Sequence, residues 1–158
     1  MKFQEETMNQ TEQKKTCTEQ FLSELYKNMK MGSDSIINVM PKVSGGDLRQ
    51  EMTAQLNRYE ELAKKIGNLL YEEGVTPEED GFFAKMMSKM GMTMNTLMDS
   101  TDSHIAQMMI EGATMGITEN TKLLREYENK SCSEKSLSLA KETIHFMEDT
   151  VERLKQYL

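Results

Sequence analysis

The chain has 158 residues, enough for one domain with one buried core, and is 37% hydrophobic and 28% charged with two prolines and no tryptophan, which suits helices better than strands. Its formal charge of −7, from 26 acids against 19 lysines and arginines, argues against a nucleic-acid partner, because phosphate binding needs clustered basic residues and here they are scattered among acids. No stretch approaches the roughly 20 apolar residues of a membrane span, and residues 1–17 lack the apolar run and cleavage site of a secretory signal, so no membrane partner and a cytoplasmic location are expected.

Residues 1–17 read as a polar leader and 18–158 as a single domain. Cys17 and Cys132 are the only cysteines. They are too few and too far apart for a disulfide framework or a zinc site of standard spacing, so reduced, incidental thiols are expected.

The first helix is predicted over 18–41. Leu22, Leu25, Tyr26, Met29, Ile36, Ile37 and Met40 recur at three- and four-residue spacing, which places them on one face. Pro41 and the pair Gly45 and Gly46 end it by removing a donor and loosening the backbone. Asp47 reads as the N-cap of a second helix over 48–73, whose stripe includes Leu48, Met52, Tyr59, Leu62 and Ile66, and Gly74 reads as its stop. The short connection makes the first two helices an antiparallel hairpin.

Residues 75–102 read as a long crossover holding a short helix. Thr76 and Pro77 followed by two acids form a helix-start signature. Met86, Met87, Met90, Met92, Met94 and Met98 crowd the rest. Thioethers bind soft metals such as Cu(I), but these positions also share a helical face, so core filling is the favoured role.

A third helix is predicted over 103–128, with Ile105, Met109, Gly112, Ala113, Gly116, Leu123 and Tyr127 inward. A fourth is predicted over 136–158, with Leu137, Ala140, Ile144, Met147, Val151, Leu154 and Leu158 inward. Leu139, Thr143, Phe146, Thr150 and Tyr157 form a second line on it. One face suffices to enter a bundle, so this second line is expected to make a homo-oligomer contact with Phe146 partly covered by the partner.

Hairpin, long crossover, hairpin is the order of an all-α, antiparallel four-helix bundle of the ferritin-like kind, with one long crossover between helices 2 and 3. With that order, the trio Met31, Gly32 and Ser33, the turn over 43–48, and the run Ile110, Glu111, Gly112 and Ala113, the chain resembles a ferritin-like four-helix-bundle family of bacterial proteins of unknown function. The resemblance implies a carboxylate at each of several inward positions, holding two metal ions. Here those positions carry Ser33, Arg58 and Ala113, so the metal-ligand pattern is largely lost.

Glu142 and His145 form a Glu-x-x-His pair, the pattern of ferritin-like metal helices, and are the candidate metal ligands. At about 100° per residue they lie about 160° and 100° from Ile144 and flank the core stripe. Ser33, Gln55, Tyr59 and Glu148 are the candidate ligand-binding residues. Each is predicted on an inward face at similar height, opposite Gly112, Ala113 and Gly116, with Glu148 hydrogen-bonded to Gln55 or Tyr59. One inward acid is too little charge for two metal ions, so no resident cofactor is expected beyond, at most, a single metal ion.

No catalytic triad and no phosphate loop is present: the two histidines lie far apart, and no lysine follows Gly45 and Gly46 as a phosphate loop would need. The expected function is therefore non-enzymatic, exercised through assembly or protein contacts. An atypical metal binder and a small-ligand binder using the mid-bundle polar gap are the alternatives.

Overall fold

The computed structural model describes residues 2–77 and 99–158, with side chains from Cys17 onward. Four long helices and no strand occur among the described residues: α1 (Lys2–Val39), α2 (Gly46–Glu72), α3 (Asp102–Tyr127) and α4 (Glu134–Leu154). The Met-rich run from Met86 to Met98 lies outside them. α1 begins at Lys2 rather than near residue 18, so the backbone of the polar leader is helical and continuous with the first bundle helix.

Local chemistry explains the ends. A 3₁₀ turn over Met40–Lys42, carrying Pro41, closes α1. The N-cap of α2 is Gly45, not Asp47, which sits instead in the first turn beside the positive end of the helix. Gly45 is needed for close approach: its amide donates to Asp102 Oδ1 at 3.3 Å, and a Cβ there would lie 1.9 Å from Asp102 Oδ2. α2 stops at Gly74, whose φ of 79° suits glycine. The Gly74 and Val75 amides donate back to the Tyr71 and Leu70 carbonyls, satisfying two of the terminal acceptors. Thr101 and Ser133 cap α3 and α4 through their hydroxyls.

Cross-helix contacts fix the topology. Asp102 at the start of α3 meets Gly45 at the start of α2, so these helices begin at the same end and run parallel. Tyr157, in the 3₁₀ turn Lys155–Tyr157 that follows α4, donates to the Asp47 carbonyl at 3.2 Å, so α4 finishes at that end. At the opposite end, the Thr18 hydroxyl of α1 accepts from the Ser133 amide at 3.1 Å. Thus α1 and α4 run antiparallel to α2 and α3. The end of α2 and the start of α3 therefore lie at opposite ends of the bundle, about 40 Å apart for a helix the length of α2.

The cysteines are not reduced thiols: Cys17 and Cys132 form a disulfide with their Cα atoms 5.6 Å apart, within the usual range. Sequence spacing hid the pair because antiparallel packing of α1 on α3 brings residues 115 apart together.

α4 is rotated from the face expected to turn inward. Its buried residues are Ser136, Ala140, Thr143, Phe146, Met147, Thr150 and Leu154. The line expected to meet a partner is largely the monomer's own core, with Phe146 packed edge-on to Tyr59 at 4.8 Å between centroids. Leu137, Ile144 and Val151 are only half-buried, and Leu158 is exposed. Small hydroxyl residues fit the inner face because they admit close helix approach and can bond their own helix: Thr143 donates to the Ala140 carbonyl and Ser136 to that of Ser133.

Candidate functional site

Three of the four residues expected in a mid-bundle layer are buried: Ser33, Gln55 and Tyr59. The fourth is not. The side chain of Glu148 is 56% exposed and lies 3.9 Å from His145, itself 77% exposed. Glu148 follows Ile144 and Val151 outward, so it bonds neither Gln55 nor Tyr59. Of the small residues expected opposite, Ala113 is buried and Gly116 faces inward, where an added Cβ would meet the Met147 sulfur at 2.8 Å. Gly112 is exposed, with nothing near the position of a Cβ.

Tyr59 lies directly on the α1 backbone. A Cβ on Gly32 would come within 2.4 Å of the Tyr59 ring, so the glycine is what lets the ring seat there. Burial raises the Tyr59 phenol above its ordinary value. Gly32→Ala is expected to displace the ring and destabilise the fold by about 1–3 kcal/mol, read as a lower urea midpoint. Tyr59→Leu should recover part of the loss in the double variant, and additive effects would contradict this packing.

A second polar element was not anticipated. Asn120 of α3 is fully buried. Its Oδ1 accepts from Asn28 Nδ2 of α1 at 2.6 Å, and its Nδ2 donates to Thr143 Oγ1 of α4 at 3.0 Å. One amide thus ties three helices. The signal was present in the seven-residue spacing of Ala106, Ala113, Asn120 and Tyr127, all buried on α3.

Glu142 and His145 do not converge on an interior site. The Glu142 carboxylate accepts from Arg58 at 2.7 Å and from Lys65 at 3.0 Å across the α2–α4 seam. Partial burial pushes its pKa up, but the Lys65 and Arg58 hydrogen bonds and charges outweigh that and hold it below the ordinary value. His145 points to solvent with Glu148 and Asp149 3.9 and 3.7 Å away. Arg58, Glu142, His145 and Asp149 border an open groove of about 440 Å³ between α2 and α4, which Ala54 and Phe146 also line.

The donor set does not fit the two metal ions that the resemblance implies. Such ions need several anionic oxygens. Ser33 Oγ is engaged with the Lys30 carbonyl. Arg58 is a cation shared between Glu61 and Glu142, and Ala113 has no donor atom. The buried polar side chains among the described residues are serine, threonine, glutamine and asparagine, all neutral.

Fold and interior together define a four-helix bundle with a neutral, hydrogen-bonded core. Residues 18–126 match a family described as a domain of unknown function, DUF2383. The match covers more than half of the chain, which therefore belongs to that family. It takes in most of α1 through α3 and leaves out α4 and both disulfide cysteines. The chain matches no curated protein and no solved structure.

Proposed function

We propose that this protein is a non-enzymatic helical bundle of ferritin-like order that acts by self-association rather than by metal chemistry. The observation that carries the reading is the fate of its Glu-x-x-His pair: the carboxylate is neutralised by Arg58 and Lys65 and the imidazole faces water. A metal helix in a ferritin-like protein turns both inward.

The surface best suited to a second copy is the outer seam of α3 and α4. Ile110, Ile117 and Leu124 on α3 and Leu137, Ile144 and Val151 on α4 are half-buried rows at seven-residue spacing. Leu124 and Ile144 floor an open groove of about 750 Å³ rimmed by Arg125, Glu128, Lys141 and Glu148. The rim is self-complementary, because a two-fold axis near Ile144 sets Lys141 of one copy beside Glu148 of the other. This face replaces the Phe146 line expected from the sequence.

The cytoplasmic location expected above and the disulfide pull in opposite directions, since cytosolic thiol pools keep most cysteine pairs reduced. The thiol state of protein taken directly from its source distinguishes the two.

Two measurements test the functional reading. Sedimentation at micromolar concentration should give a dimer, and Ile144→Glu should give a folded monomer. Anaerobic incubation with Fe(II), Mn(II) or Zn(II) should leave metal well below one ion per chain. A monomeric wild type would sink the assembly reading, and stoichiometric metal would restore the ferritin-like alternative.

A further inference from the structure

Two buried oxygens have no hydrogen-bond partner among the described residues: Gln55 Oε1 and Thr150 Oγ1. Their residues are 0% and 1% exposed. Register places them at one level. One turn to one side, Glu51 of α2 pairs with Arg153 of α4 at 2.9 Å; one turn to the other, Tyr59 packs on Phe146. Gln55 lies midway between Glu51 and Tyr59, and Thr150 midway between Phe146 and Arg153. Both therefore turn inward from facing helices in the same layer, without bonding each other.

Their orientations have identifiable causes. Gln55 Nε2 donates to Glu51 Oε1 at 2.9 Å. A carboxylate only accepts, so the amide oxygen must be the free end. Ser33, Ser136 and Thr143, three other buried serine and threonine residues on helices, each donate to a carbonyl three residues back. Thr18 accepts from the Ser133 amide. Among the buried serines and threonines of the described residues, Thr150 alone does neither, so its hydroxyl is left for something between the helices. An unpaired buried acceptor and an unpaired buried hydroxyl each cost free energy on the scale of a lost hydrogen bond, and in native proteins such groups are generally joined by protein or ordered water.

We propose that one ordered water molecule is bound in this layer, accepting from the Thr150 hydroxyl and donating to Gln55 Oε1. The bridge would join α2 to α4 through Glu51, Gln55, water and Thr150, and so hold their register from within the core. The site is neutral and suits a ligand that can both donate and accept.

A high-resolution crystal structure of the full chain should show a water within hydrogen-bonding distance of both oxygens. A dry layer, or Thr150 donating directly to Gln55, would overturn the proposal. In solution, water relaxation dispersion should count one fewer long-lived internal water in Thr150→Val than in the wild type, and an unchanged count would contradict it. A double-mutant cycle of Thr150→Val with Gln55→Met should show roughly tenfold non-additivity in the folding equilibrium constant. Additive losses would mean that the two oxygens share no bound molecule.

Discussion

Reducing the disulfide should lower the urea midpoint of this protein by roughly 1–2 M while leaving its helical content unchanged. The bond links Cys17 to Cys132 across 115 residues, so opening it returns a large amount of conformational freedom to the unfolded chain. Native disulfides closing long loops contribute about 2–5 kcal/mol. The folded state keeps its other local ties: Phe21 stacks on Tyr127 at 5.1 Å, and Thr18 still receives the Ser133 amide. Loss should therefore appear in the unfolding equilibrium and not in the native circular dichroism. Cys132→Ser should match the effect of a phosphine reductant on the wild type. Equal midpoints with and without reductant, or two titratable thiols in folded protein prepared without it, would contradict the bridge.

Asn120→Asp should be nearly silent in acid and costly at neutral pH. When protonated, the new carboxyl reproduces the amide: its carbonyl oxygen can accept from Asn28 and its hydroxyl can donate to Thr143. When ionised, it places a charge at a fully buried position among neutral groups. Burial therefore raises its folded pKa above the unfolded value of about 3.9, by roughly 2–4 units. A carboxylate raised in this way is matched in the folded state below the unfolded pKa, and the variant loses stability as pH rises from there towards the folded pKa. The expected deficit relative to wild type grows from near zero below about pH 4 to about 3–4 kcal/mol at pH 7. Denaturant melts of both proteins at several pH values measure it. A deficit independent of pH would show that residue 120 is solvated.

The existence and order of the four bundle helices were legible in the residue pattern, because a helix is specified by neighbours three and four positions away. The stops at Pro41 and Gly74 were legible for the same reason, since each acts on its own backbone. Much of the core stripe of α2 could also be read, because Leu48, Met52, Tyr59, Leu62 and Ile66 are apolar and inward.

Reading by hydrophobicity failed where the interior is polar. On α4 the apolar row Leu137, Ile144 and Val151 outweighs the hydroxyl row Ser136, Thr143 and Thr150, yet the hydroxyls face inward. That rotation carried Glu148 out of the site and moved Phe146 from an expected interface into the core. Which face of a helix turns inward depends on what the opposite helices present: Asn120 awaits Thr143, and Tyr59 awaits Phe146. The disulfide is of the same kind, since only the antiparallel packing of α1 and α3 brings Cys17 to Cys132. Local sequence determined that these segments are helices and where most of them stop; the tertiary structure decided their rotation, the cysteine pairing and the polar layer, because each is a relation between residues that meet only when the bundle closes.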